Sequence, residues 1–247
     1  MRALRALSVL EIVSRENRIL NIAELETLSG LPRATVYRIV DKLVKEDYLY
    51  RQIGGRGITV GHKLLSLAQH IMGSDSVRMV RHEILTRLVE RVGETCNLSV
   101  PDGSQMMYLD RVEAHWPLRL HMPVGTRVPM HCTANGKLFL AYLNEDEQRE
   151  KIASLTLEKQ GDNTITEPKV LVKELQKIRE QGYSTDNEEL FSGMIAVSVP
   201  ILNARRKMIA GVAVTAPIAR MSIDDALVHI PALQDAAGEL SNYLERK

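Results

Sequence analysis

Cysteine is nearly absent: Cys96 and Cys132 are the two thiols in 247 residues. Thiols so few and so far apart leave no disulfide framework to read and point to a reducing compartment. Long apolar runs are missing as well, and none approaches the roughly 20 residues of a membrane-spanning helix. The opening Met1-Arg2-Ala3-Leu4-Arg5-Ala6-Leu7-Ser8 turns polar at Glu11 and holds no signal-peptide core, so a cytoplasmic protein with no membrane partner is expected. No internal repeat and no low-complexity tract interrupts the chain. A charge of one sign is lacking too: 32 Lys/Arg against 31 Asp/Glu leave a net +1. The distribution says more than the sum. Residues 1–62 carry ten Lys/Arg and seven Asp/Glu, a local +3, which leaves −2 for the rest. A basic segment on a near-neutral chain points to a polyanion partner at that end.

What is present is ordinary globular material, 45% apolar and 26% charged. The length suits one large domain or two unequal ones. Ala3, Ala6, Leu7, Leu10 and Val13 form a helical stripe over residues 3–16. Asn21 suits the N-cap of a short helix, 22–28, with Ile22, Leu25 and Leu28 on one side. Ser29-Gly30-Leu31 makes a tight turn, and Pro32 fits the first turn of a helix running to about Glu46. The buried stripe of that helix is Val36, Ile39, Val40 and Leu43. Two extended stretches, 48–53 and 57–60, flank Gly54-Gly55-Arg56 and read as a hairpin. Helical periodicity returns over 62–72 (Leu64, Leu67, Ala68, Ile71) and, after a break at 73–75, continues to Val92 with Val77, Val80, Ile84 and Leu88 in register.

The remainder reads as α+β. Cys96, Leu98 and Val100 alternate with Thr95, Asn97 and Ser99 as in a half-buried strand. Pro101-Asp102-Gly103 turns into 105–112, and Leu118, Leu120 and Met122 alternate again. Helices are expected over 134–143, 145–154 and 169–181, and an antiparallel pair over 194–202 and 207–215. Ser222, with Asp225 three residues on, caps a last helix that Pro231 would kink.

Helix, short helix, tight turn, helix, Gly-tipped hairpin is the order of a winged helix-turn-helix. With its stripe inward, the third helix turns Ala34, Tyr37, Arg38, Asp41, Lys42 and Lys45 outward. Arg33, Ala34, Thr35, Tyr37 and Arg38 are expected at base edges, and Thr35 also suits phosphate. Lys42 is expected at the backbone. Arg51, Gln52 and Arg56 would set the wing on phosphates or in the minor groove, and Arg2 and Arg5 would reach phosphate from the first helix. A charged outer face by itself is also what any solvated helix shows; the hairpin that follows is what the DNA reading adds.

Several stretches resemble the IclR family of bacterial transcriptional regulators. In the first part these are 3–10, Gly30-Leu31-Pro32-Arg33-Ala34-Thr35-Val36-Tyr37-Arg38, and 43–49. In the second they are Tyr108-Leu109-Asp110-Arg111-Val112-Glu113, 129–137, 182–189 and 193–197. The resemblance runs in order along nearly the whole chain. It implies a winged helix-turn-helix DNA-binding domain (1–61), a linker helix (62–74) and a GAF-like effector-binding domain (75–247). It also implies a homodimer or homotetramer on a double-stranded operator near metabolic genes, responding to a small organic acid or aromatic effector.

By the same resemblance the effector pocket falls near Leu120, Met122, Ala134, Asn135, Asp186, Met194, Ala196, Ala213 and Thr215. Asn135 and Thr215 offer hydrogen bonds, and the backbone N–H groups of Ala134-Asn135 at a helix start favour an anionic group. Leu120, Met122 and Met194 supply an apolar wall or simply core. Asp186 accepts a ligand hydroxyl or caps a turn. The chain departs from the family in having Ala196 where a cysteine is common and Ala134-Asn135 where a more glycine-rich stretch is common. No cofactor and no metal is expected, since His115, His121, His131 and Cys132 match no standard ligand spacing. The alternatives are an enzyme using Cys132 or Asp186 on a small metabolite, and an architectural DNA-binding protein without a sensor. No oxyanion motif or third catalytic member accompanies His131-Cys132, so no catalytic residue is assigned.

Overall fold

The computed structural model describes residues 2–16, 18–52, 57–73, 75–117 and 120–244. The chain divides into two compact units, Met1–Val77 and Arg78–Lys247.

The first unit contains α1 (Arg2–Glu16), α2 (Ile22–Ser29), α3 (Arg33–Lys45), β1 (Leu49–Arg51), β2 (Ile58–Val60) and α4 (His62–Gly73). Asn21 caps α2 reciprocally: its Oδ1 accepts from Glu24 N at 3.0 Å, and its own N donates to Glu24 Oε2 at 2.8 Å. Gly30 ends α2 at φ +64, a left-handed turn that costs glycine nothing. Pro32 stands at the cap of α3, one position outside the first turn where it was expected, and supplies no side-chain cap. A neighbour supplies it instead: Glu26 Oε1 of α2 accepts from Arg33 N at 3.1 Å. β1 and β2 pair antiparallel. Leu20, between α1 and α2, exchanges both backbone hydrogen bonds with Ile58 of β2, at 2.9 and 2.7 Å, and so ties the hairpin to the helices. The core joins Val9, Ile12 and Val13 of α1, Leu20, Leu25, Val36, Ile39, Val40, Leu49 and Ile58. The expected stripe of α1 is thereby rotated: Val9 and Ile12 are inside, while Leu7 is 53% exposed. Leu28 of α2 and Leu67 and Ala68 of α4 are exposed as well.

The second unit begins within α5 (Asp75–Val92), which buries Ile84, Leu85, Leu88, Val89 and Val92 and leaves Val80 exposed. There follow β3 (Thr95–Asp102), β4 (Gln105–Val112), β5 (Arg127–Pro129), α6 (Ala134–Tyr142), α7 (Glu145–Ser154), α8 (Pro168–Gln181), β6 (Ser184–Asn187), β7 (Met194–Leu202), β8 (Met208–Pro217), α9 (Ile223–Leu227) and α10 (Ile230–Leu244). The strands form one antiparallel sheet in the order β5-β4-β3-β8-β7-β6. The strand expected through Leu120 and Met122 is not formed; residues 120–123 are irregular, and the short edge strands β5 and β6 occur where none was expected. The last helix is two: Ser222 and Asp225 form the capping box of α9, and Pro231 is the second residue of α10, where its missing N–H is no loss.

The register sorts the sheet into two faces. Cys96, Leu98, Val197, Val199, Ile201, Val212 and Val214 share one, on the side where α10 packs against β7 and β8. Asn97, Ser99, Ser184, Asp186, Ala196, Ser198, Gly211, Ala213 and Thr215 share the other, under α6. Between β3 and β4 the register slips: Leu98 pairs with Asp110 but Ser99 with Tyr108, so Leu109 is one residue too many. Asp110 accepts from Arg81 Nε of α5 at 3.2 Å and lies 3.0 Å from His82 Nδ1, while Tyr108 faces the α6 side with Ser99.

Candidate functional site

Two surfaces collect the expected functional residues, one in each unit. On α3, Val36, Ile39 and Val40 are buried and Leu43 is half-buried, which leaves the opposite side to Arg33, Ala34, Tyr37, Arg38 and Lys42, all exposed. Tyr37 is 53% exposed. Thr35 is half-buried and donates its N–H to Pro32 O at 2.8 Å, within the first turn. Arg51 of β1 lies with its guanidinium 5.6 Å from the centroid of the Tyr37 ring, within cation–π range. The hairpin and α3 thus present one joined cationic and aromatic surface. Gln52 is exposed and donates its backbone N–H to Gly57 O at 2.9 Å, just inside the hairpin end. Arg5 is exposed on α1, and Arg2 is its first residue. Arg56 and the Gly54-Gly55 tip lie outside the described residues.

In the second unit, a cavity opens between the sheet and the start of α6. Of the nine expected residues, Leu120, Ala134, Asn135, Asp186, Met194, Ala196, Ala213 and Thr215 line it. Met122 does not; it is buried in the apolar cluster with Met106, Tyr108 and Val128. Residues not foreseen complete the lining: Asn97, Ser99 and Tyr108 from β3 and β4, Val128 and Thr133 near α6, and Leu190, Phe191 and Ile195 around β6 and β7. Their signal lay in the sequence, since Asn97 and Ser99 sit on the polar side of an alternating strand; the side of the sheet that α6 covers was not legible there.

The cavity floor is small and polar. Gly211 lacks a Cβ that would sit 2.3 Å from Asn135 Oδ1, so the glycine lets the Asn135 amide lie flat on the sheet. Asn135 Nδ2 donates to Asn97 Oδ1 at 3.2 Å, and Asn97 Nδ2 donates to Thr215 Oγ1 at 3.2 Å. Asn135 Oδ1 and the Ser99 hydroxyl in the lining, and the hydroxyls of Ser184 and Ser198 on the same face but outside the lining, are buried with no hydrogen-bond partner. Thr133 caps α6, its Oγ1 accepting from Gly136 N at 3.2 Å. This leaves the amides of Ala134 and Asn135, the first two of the helix, without an intrahelical acceptor. The mouth residue Leu120 is held by Arg111, whose Nη2 donates to its carbonyl at 2.8 Å. The cavity is narrow, about 30 Å³, room for about two waters.

Asp186 caps a turn and lines the cavity. Its Oδ1 accepts from Glu189 N at 2.8 Å and Leu190 N at 3.3 Å, capping the turn after β6, and the residue also lines the cavity. Burial, then the nearby Glu189 carboxylate, pushes its pKa up to about 7, against the opposing pull of the two amides and Lys137. Lys137 of α6 is fully buried and paired with Glu189. Glu189 is itself raised by burial, and Lys137 pulls it back.

The remaining chemistry-bearing side chains go separate ways. Burial pushes the Cys132 thiol up to about 12. His131 Nε2 lies 2.9 Å from Glu158 O, and His121 Nδ1 lies 3.0 Å from Glu113 Oε1. Among the described residues no three His, Cys, Asp or Glu side chains gather as a metal site, and no helix is long and apolar enough to cross a membrane.

The family model for the IclR helix-turn-helix domain matches residues 3–52, and that for the bacterial transcriptional regulator IclR C-terminal domain matches residues 69–242. A protein of Cupriavidus necator named "Probable transcriptional regulator SauR" is 39% identical over 96% of this chain and 94% of its own. The crystal structure of the Thermotoga maritima IclR superposes with TM-score 0.66 at 27% identity, covering 99% of this chain and 98% of that one. An IclR homolog from Microbacterium hydrocarbonoxydans, crystallised with 4-hydroxybenzoate, superposes with TM-score 0.62 at 24% identity over 99% of both chains.

Proposed function

The chain belongs to the IclR family of bacterial transcriptional regulators, and from that premise we propose which residues carry its two tasks. A helix-turn-helix domain for DNA and a C-terminal effector-binding domain with a GAF-like α+β fold are the family's parts. For DNA, the reading face is Arg33, Ala34, Thr35, Tyr37 and Arg38 in the major groove, with Lys42, Arg51, Gln52, Arg56, Arg2 and Arg5 on the backbone or minor groove. The observation that carries this is the solvent-facing position of Tyr37 and Arg38 opposite a fully apolar stripe. Arg51, splinted by Tyr37, meets DNA in a fixed pose instead of from a free side chain. We assign the winged domain to 1–61, the linker helix to 62–74 and the sensor to 75–247. A homodimer, or a pair of dimers, would set two α3 helices in successive major grooves of a near-palindromic operator. Its place of work is the cytoplasm.

For the effector, we assign the cavity beneath α6. The two orphan amides of α6 and the Asn135-Asn97-Thr215 relay suit a small organic acid or an aromatic acid. Anything larger than about two waters displaces Leu120 or Phe191 at the mouth. The effector sets operator affinity by preferring one of two conformations. An enzymatic role gains no support: a thiol held near 12 is not a nucleophile at neutral pH, and His131 is turned to a backbone carbonyl.

Fragments selected from genomic DNA with the full-length protein give the operator, and fluorescence anisotropy then gives affinity. Arg38→Ala weakens specific binding by ~1–3 kcal/mol with an unchanged circular dichroism spectrum; unaltered affinity removes Arg38 from the reading face. Asn135→Ala leaves operator affinity intact and blunts the response to any metabolite that raises the wild-type melting temperature. An identical dose-response would move the effector elsewhere.

A further inference from the structure

Helices α7 and α8 both pack on α6 and hardly on one another. An open groove of about 1480 Å³ runs between them, far larger than the cavity beneath α6. From α8 it receives Lys169, Val172, Lys173, Gln176 and Arg179, each three or four residues after the last, so one stripe of that helix faces it. Ile152 and Leu155, at the end of α7, join Val172 and Leu175 as its apolar floor. The ten residues of α7 give the groove a length of about 15 Å, or two to three helical turns.

The rim is nearly of one sign. Arg149, Lys169, Lys173 and Arg179 line the groove against one carboxylate, Glu145. Asp146 answers Arg149 at 2.8 Å. Arg179 Nη1 donates to the carbonyls of Ala141 and Leu143 at 3.4 and 3.0 Å, which fixes where its guanidinium lies. Lys169 and Lys173 take no ion pair or hydrogen bond among the described residues.

These two lysines also work against their own helix. Lys169 is the second residue of α8, where the helix dipole disfavours a cation, and the first turn holds no acid. Glu167 at the cap makes no side-chain cap hydrogen bond. Lys169 and Lys173 stand four apart, a like-charge pair that weakens a helix. Stability alone would favour acids at the start of α8. Local rules broken on one face, beside an open apolar floor, mark that face as serving something outside the helix.

We propose that the groove docks an acidic amphipathic helix of another protein, with apolar anchors on Ile152, Val172 and Leu175 and carboxylates on Lys169, Lys173 and Arg179. A floor of this kind takes anchors spaced three and four residues apart, and the cationic rim selects the charge of their flanks. A nucleic acid does not suit it: no aromatic side chain lines the groove to stack a base. The inference depends on neither the DNA face nor the effector cavity.

The test uses full-length protein and three fluorescein-labelled synthetic helices, each held by a side-chain staple. The first has leucines along one side and glutamates on its flanks. The second has lysine for every glutamate. The third keeps the composition of the first but scatters its leucines around the helix. Fluorescence anisotropy should show the first binding in a salt-sensitive way, and the other two failing to bind. Lys169→Glu/Lys173→Glu should weaken the acidic helix about tenfold and admit the lysine helix. Its operator affinity should match the wild type, and its melting temperature should be equal or higher, since acids there suit the dipole. Arg38→Ala should bind the acidic helix as the wild type does. Loss in Arg38→Ala with none in the double variant puts the acidic helix on the DNA face and overturns the proposal. Equal binding of the first and third helices overturns it by removing the apolar floor, and absence of binding overturns it outright. If the double variant alters the sedimentation of the protein alone, the groove is an interface between copies of this chain and the proposal falls. Should that variant not fold, Lys173→Glu decides by the same comparison with a smaller fold-change.

Discussion

Strands β7 and β8 show Val197, Val199, Ile201, Val212 and Val214 to one side of the sheet and Ala196, Ser198, Gly211, Ala213 and Thr215 to the other. The backbone ladder is common to both; only the parity of the residue number differs. On the valine side, large β-branched groups fill the space up to α10 and make a packed core. On the α6 side, the side chains are small, and the Ser198 hydroxyl, like those of Ser99 on β3 and Ser184 on β6, has no partner. A face optimised for stability would not bury unpartnered hydroxyls, since each costs desolvation with nothing returned. One side of the sheet is filled by its own side chains up to α10, and the other leaves space and unpartnered hydroxyls beneath α6.

That contrast can be broken by substitution. Leu98→Ala, on the packed side at 1% exposure, should lower unfolding stability in urea by about 2–5 kcal/mol. A cost under about 1 kcal/mol would mean that side is not a tight core. Gly211→Ala, on the α6 side, brings a Cβ against Asn135 Oδ1 at 2.3 Å and should cost about 1–3 kcal/mol. It should also detach Asn135 from Asn97, visible as displaced amide side-chain resonances; undisturbed resonances would show the floor to be looser than its geometry. Ser198→Ala deletes a buried hydroxyl without a partner and should be neutral within about 1 kcal/mol, or stabilising. If Ser198→Ala costs as much as Leu98→Ala, the two sides are not different in kind.

The same parity explains what could be read from sequence. Where one side of an element is apolar and the other charged, as on α3, periodicity placed Val36, Ile39 and Val40 inside and Tyr37 and Arg38 outside. Where apolar residues occur all round, as on α1, it offered two stripes and the expected one was off by part of a turn: Leu7 is outside and Val9 inside. β6, Ser-Thr-Asp-Asn, has no apolar alternation, because its inward side belongs to the polar face; nothing in its composition announces a strand. The reverse error occurred at 118–122, where alternation is real but no neighbouring strand pairs with residues 120–122. The cavity was legible as segments, through the family resemblance, and eight of nine residues meet there. Of the eight lining residues not foreseen, Asn97, Ser99 and Tyr108 required the register of β3 against β4 and β8, which no single strand contains.

The surplus residue in β4 couples events that would otherwise be independent. In a regular strand Tyr108 and Asp110 would point the same way, and the cavity wall and the anchor to Arg81 would compete for one side. With Leu109 interposed, the strand serves both neighbours, one per side. Straightening the pairing with Leu109 retained would turn both side chains to one side, whereas a chain lacking Leu109 would keep Tyr108 opposite Ser99 and Asp110 opposite Leu98 in unbroken alternation, so the slip matters only because this extra residue is there.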